Sequence, residues 1–146
     1  MNTDAIQEFT GEYFFLSNYY DPCVVHYAGY KFRNSEAAYQ AAKCPRHMWM
    51  FQMLSPDASK WLARKLTIRS DWEKVKTNIM YDVCWAKFTQ HPELRDKLLA
   101  TGTRELIEGN TWGDRVWGTV DGVGENRLGK ILMKIRDKLA NENFNK

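Results

Sequence analysis

The stretch VVHYAGYKFRNSEAAYQAAK, residues 24–43, changes its periodicity once, and that change sets the fold class. Two β-prone runs flank Ala28-Gly29, the pattern of a hairpin closed by a tight turn. Asn34 or Ser35 then caps a helix that reaches about Lys43. On it Glu36, Tyr39, Gln40 and Lys43 fall at i, i+3, i+4 and i+7, so they share one face. Ala38, Ala41 and Ala42 lie on other faces and permit close packing. Upstream, Tyr13-Phe14-Phe15-Leu16 is short and apolar and reads as extended. The segment Ser17-Asn18-Tyr19-Tyr20-Asp21-Pro22 is a turn-rich loop.

Helices dominate downstream. Pro45 and Pro56 each suit the first turn of a helix. Ser70-x-x-Glu73 reads as a capping box opening the longest helix, whose apolar stripe is Trp72, Val75, Ile79, Val83 and Ala86. The basic stretch Lys60 to Arg69 reads as a solvated helix face. Pro92 opens a helix that ends near Thr101-Gly102. Leu106-Ile107-Glu108 suits a short strand, followed by the loop TWGDRVWGTVDGVGEN, residues 111–126. Asn126 caps a last helix with Leu128, Ile131, Leu132, Ile135 and Leu139 as its buried stripe. The expectation is an α+β fold, predominantly helical, with a small N-terminal β element. It forms one domain over residues 1–146, with a core over about 9–139 and a frayed tail over 141–146.

A chain of 146 residues can bury roughly two thirds of its unfolded surface, so it needs no disulfide or metal to fold. Aromatics make up 14%, more than a core of this size requires, which leaves rings for stacking on a base. The net charge of +3 suits an anionic small molecule. Lys and Arg are interleaved with acids, without the clustered basic stripe of a nucleic-acid binder. Cys23, Cys44 and Cys84 are far apart and form no C-x-x-C pair, which argues against a zinc site or a disulfide frame. His26, His47 and His91 are scattered, with no metal spacing and no Ser-His-Asp set. No metal and no cofactor are expected. The first residues lack a leader pattern and no run is long enough to span a membrane, so a cytoplasmic protein is expected.

Three places could carry chemistry. The Glu36–Lys43 face is either a solvated stripe or a pocket lining. Trp72 is either a core ring or a ring at a pocket edge that stacks on a heterocycle. The loop from Trp112-Gly113-Asp114 to Asn126-Arg127 is either a plain surface loop or a ligand loop ending at a helix N-terminus that favours phosphate.

These places occur, in this order, in a known family. The matching segments include Phe15-Leu16-Ser17-Asn18-Tyr19-Tyr20, Ser35-Glu36-x-x-Tyr39-Gln40-x-x-Lys43 and Trp72-x-x-Val75-Lys76. They continue with Lys87-Phe88-x-Gln90, Leu106-x-Glu108, Trp112-Gly113-Asp114 and Asn126-x-Leu128-Gly129-x-x-Leu132-Met133-x-x-Arg136. The sequence resembles the NADAR (YbiA-like) family, from Phe9 to about Arg136. The resemblance implies an N-glycosidase acting on ribosyl C–N bonds, without a cofactor. Implied substrates are phosphoribosylamino intermediates of riboflavin synthesis and ADP-ribose on guanine, including guanine in nucleic acid. Glu36 and Asp114 match the family's acids and Trp72 its ring. Asn18, Tyr39, Gln40, Lys43, Trp112, Gly113, Asn126 and Arg127 are the expected substrate contacts, with Lys43, Arg127 and N–H groups near Asn126 on phosphate. Many relatives carry His directly after the Glu; here that place is Ala37. Arg115 follows the W-G-D where small residues are common. The alternative is a module that binds ADP-ribose or a related nucleotide without turnover. Membrane binding is not expected, and protein partners are not readable.

Overall fold

The computed structural model describes residues 3–144. The chain divides into two compact units, residues 18–90 and residues 1–17 with 91–146.

In the first unit, β1 (Val25–Tyr27) pairs antiparallel with β2 (Tyr30–Phe32), with His26 opposite Lys31. Ala28 and Gly29 both take positive φ, 52° and 87°, as a two-residue hairpin turn requires. Three helices follow: α1 (Ser35–Ala42), α2 (Pro56–Lys65) and α3 (Trp72–Gln90). Between α1 and α2 the chain runs as a 3-10 helix, Pro45–Phe51, kinked at His47. The α1 helix packs on α2, α3, the hairpin and that 3-10 helix, and all eight of its residues are buried. Four alanines make this possible, because small side chains let neighbouring backbones approach closely. The solvated-stripe alternative for Glu36, Gln40 and Lys43 is thereby set aside for Glu36 and Gln40. The amide of Gln90, at the end of α3, bonds both backbone groups of His26 at 2.8 Å, which pins the hairpin.

Two local expectations in this unit need correction. The longest helix does not open on a Ser70 box: the Asp71 carbonyl accepts from the Lys74 and Val75 N–H groups, while Glu73 pairs with Lys76. The basic stretch is not one solvated face either. The α2 helix stops at Lys65, and Lys60 is half-buried with its ammonium 4.8 Å from the Tyr19 ring centre. Lys87, on the buried side of α3, is only 1% exposed.

In the second unit, the apolar run Tyr13–Leu16 lies in a 3-10 helix, Gly11–Leu16, rather than in extended chain. Its turns close through Tyr13 N–H to Thr10 O and Ser17 N–H to Phe14 O, and Phe15 and Leu16 point into the core. Helices α4 (Pro92–Ala100) and α5 (Arg127–Phe144) pack together, with buried Arg136 donating to Thr101 Oγ1 at 2.9 Å. The expected strand at Leu106 is a single parallel bridge to Ile6. The α5 helix runs on through residues 141–144, where a frayed tail was expected; residues 145–146 lie outside the described residues. Asn126 caps α5 in an unusual way. Its φ is 52°, its carbonyl accepts from Lys130 N–H, and its side chain turns away to bond Glu108 N–H and Leu106 O. A Cβ on Gly129 would meet Leu106 O at 2.1 Å and the Asn126 amide at 2.5 Å, so only glycine fits beneath that amide.

Candidate functional site

Asn34 fixes the start of α1. Its Oδ1 accepts from Ala37 N–H at 2.8 Å, and its Nδ2 donates to Asp21 Oδ1 and Leu54 O, both at 3.0 Å. Ser35 then donates to Asn18 Oδ1 at 2.9 Å, Glu36 N–H donates to Asn18 O, and the Asn18 amide donates to Met80 Sδ. The Asn18 loop and α3 are thus tied to the first turn of the helix.

That scaffold holds a carboxylate in a nearly dry place. Glu36 is 6% exposed, and Gln40 Nε2 donates to its Oε1 at 2.9 Å. The side chains one turn further on are aromatic and cationic. The Tyr39 and Trp72 rings meet at 5.1 Å with a 58° tilt, and the Lys43 ammonium lies 5.7 and 5.6 Å from their centres. Burial pushes Lys43 below its ordinary value; the Glu36 charge opposes this, while Lys60 and Arg64 add to it. Burial also works against the Lys60 charge, but Tyr19, Glu36 and Asp57 outweigh it and hold Lys60 above its ordinary value. Tyr19 donates to Asp57 Oδ1 at 2.8 Å, and its phenol is raised, chiefly by burial. One buried acid therefore acts through its charge on two half-buried ammonium groups, one of which lies over two packed rings, all within one unit.

Six of the expected residues meet here: Asn18, Glu36, Tyr39, Gln40, Lys43 and Trp72. Sequence reasoning missed Lys60 and Tyr19. The other five expected residues belong to the second unit. Trp112 is 67% exposed beside Gly113, whose φ is 86°. Asp114 organises its own loop: Oδ1 accepts from Val116 and Trp117 N–H at 3.0 and 2.9 Å, and its backbone exchanges two bonds with the Asn110 amide. The N–H groups of Arg127 and Leu128, expected to be open to phosphate, donate to Val116 O and Trp117 O. The Arg127 guanidinium pairs with Glu125 at 3.1 Å. Among the described residues no three His, Cys, Asp or Glu side chains are grouped to hold a metal, and no helix is long and apolar enough to cross a membrane. The three cysteines are buried and form no disulfide.

The fold and this helix define a class: an α+β protein built around a buried helix that presents an acid, an amide and a lysine on one face. The NADAR domain model matches residues 6–140, and the chain belongs to that family. The solution structure of YbiA from Escherichia coli superposes with a TM-score of 0.87 at 32% identity, covering 100% of this chain and 90% of that one. The Escherichia coli N-glycosidase YbiA is 46% identical over 80 residues, 54% of this chain and 49% of the relative. A riboflavin biosynthesis protein of Vibrio vulnificus is 37% identical over 131 residues, 86% of this chain and 35% of that protein. The chain spans about half the length of the first curated relatives it matches.

Proposed function

We propose that the chain is an N-glycosidase that hydrolyses the ribosyl C–N bond of a nucleotide-like substrate. The observation that carries this reading is the buried Glu36 carboxylate, bonded by Gln40 and acting through its charge on the Lys43 and Lys60 ammonium groups. Breaking a ribosyl C–N bond builds positive charge on the sugar, as in glycoside hydrolysis. A carboxylate in a water-poor setting stabilises that charge, or takes a proton from the attacking water. Trp72 and Tyr39 supply flat faces for the heterocycle, and Lys43 a cation for phosphate. Asp114 is the second acid of the proposal. The names of the relatives support the reaction and a link to riboflavin synthesis, which favours a phosphoribosylamino intermediate; ADP-ribose on guanine is the second substrate type and rests on the family resemblance alone. Incubating the protein with each and measuring released ribose 5-phosphate or ADP-ribose tests it. Release from one substrate is the expected result. Binding without release from either would leave a nucleotide-binding module in its place.

A further inference from the structure

We propose that Gln40 reads a ribose hydroxyl and so makes the site select ribosyl over 2-deoxyribosyl groups; this rests on the N-glycosidase reading of Glu36. The amide bonds Glu36 Oε1 through Nε2 at 2.9 Å. An ionised carboxylate only accepts hydrogen bonds, so the NH2 must face Glu36 and the carbonyl must face elsewhere. That carbonyl, Oε1, is buried and has no hydrogen-bond partner among the described residues, on a side chain 4% exposed. The two other buried amides of this unit behave differently. Asn34 Oδ1 accepts from Ala37 N–H, and Asn18 Oδ1 accepts from Ser35. Buried polar atoms are nearly always paired, and each exception needs a cause, of which an absent ligand is one.

A carbonyl accepts only, so its missing partner is an O–H or N–H donor. Within an amide the oxygen lies about 2.2 Å from the nitrogen, which keeps Oε1 within about 5 Å of the Glu36 carboxylate. A carboxylate acting at the anomeric carbon has the hydroxyl of the adjacent carbon as its nearest sugar donor. Ribose has that hydroxyl and 2-deoxyribose lacks it. The carbonyl is closed to water, so the sugar must enter with a shift of the side chains over α1. The unpaired carbonyl favours that shift, because opening is what gives it a partner. A site built to bond a hydroxyl rejects the analogue without it, since the buried acceptor stays unpaired.

The test is calorimetric titration with ribose 5-phosphate and 2-deoxyribose 5-phosphate. The wild type should bind ribose 5-phosphate at least about tenfold more tightly. Gln40→Met, checked by its melting curve, should bind both with Kd values within about twofold. Gln40→Glu keeps an oxygen at the same reach and should retain part of the preference. A Gln40 that merely packs would lower the melting temperature of Gln40→Met and leave the sugar ratio unchanged. Equal binding by the wild type, a preference that survives in Gln40→Met, or binding of neither sugar overturns the proposal. The wild-type comparison needs no variant, so misfolding of Gln40→Met cannot shield it. Release of ADP-ribose or ribose 5-phosphate by the same preparation reports separately on the glycosidase reading.

Discussion

Glu36→Gln separates charge from shape at the centre of α1. The amide keeps the size of the side chain and can still accept from Gln40 Nε2, so the 2.9 Å contact survives as a neutral hydrogen bond. Changing a charge-assisted bond to a neutral one loses about 1 kcal/mol. Removing a buried ion works in the other direction, because the carboxylate no longer has to be desolvated. Lys43 and Lys60 lose the charge that helps hold them protonated. These effects oppose one another and should leave stability within about 1 kcal/mol, a melting shift of no more than about 3 degrees for a chain of this size. Turnover responds quite differently. An amide carries no negative charge to face a ribosyl cation and accepts no proton from water. General base catalysis is worth roughly two to four orders of magnitude, so turnover should fall at least about a hundredfold, with KM little changed. The assay is released ribose 5-phosphate or ADP-ribose, followed by chromatography, with melting curves on the same preparation. A folded Glu36→Gln protein with near-normal turnover would remove Glu36 from the mechanism.

Trp72→Phe should keep a ring against Tyr39 and partial turnover. Trp72→Ala should lose most turnover together with about 3 kcal/mol or more of stability; normal turnover in the alanine variant would make Trp72 plain core. Asp114→Asn keeps an oxygen for the Val116 and Trp117 N–H groups, so melting should hold while turnover falls at least about tenfold; unchanged turnover would reduce Asp114 to a loop cap. Burial pushes Lys87 down to about 8, against the ordinary 10.5, with the nearby Cys23 and Cys84 thiols opposing that. Above pH 8 the unfolded chain then holds the extra proton, so the Lys87 contribution to stability should rise from about pH 8 to about 10.5, by up to about 3 kcal/mol, against the opposite slope of Cys84, whose thiol burial raises to about 12. The change in urea midpoint from pH 7 to pH 10 should therefore be more positive in the wild type than in Lys87→Met, and equal changes in the two proteins would refute the assignment.

The elements with local causes were legible in the sequence. The Ala28-Gly29 turn and the Asn34 cap each depend on a few neighbouring residues, and both form as their chemistry requires. Burial was less legible. Acid, amide and lysine at i, i+4 and i+7 look the same on a solvated helix as on a buried one, and what decides is that α2, α3, the hairpin and a 3-10 helix all press on α1. Lys87 left a trace, since it lies four residues after Val83 on the apolar stripe of α3, where a charge is out of place. Asn126 left none. Any Asn before a helix looks like a cap, and only the chain at Leu106 and Glu108 turns its amide elsewhere. Tyr13–Leu16 reads as a strand from its residue types, but a β-prone run without a neighbouring strand closes its own short-range bonds instead.

The burial of α1 is itself an argument about function. A helix held on every side by other elements would be served best by apolar residues, because well-packed hydrophobic side chains are often as stabilising as a buried charged pair, or more so. Four of its eight residues are alanine, and they carry the close packing. Glu36 and Gln40 do not contribute in that way. Their burial requires desolvating a carboxylate, and it leaves one amide oxygen without a partner among the described residues. The positive charge of Lys43 and Lys60 offsets part of the first cost, and nothing within the described residues offsets the second. Where local rules for stability are broken inside an otherwise consistent core, the exception marks a functional site more often than a defect. Glu36→Gln removes the charge without the shape, and Gln40→Met removes the unbonded carbonyl, so the two variants probe the two exceptions separately. If apolar residues at both positions gave a more stable protein that still released ribose 5-phosphate or ADP-ribose at the wild-type rate, this account of α1 would be wrong.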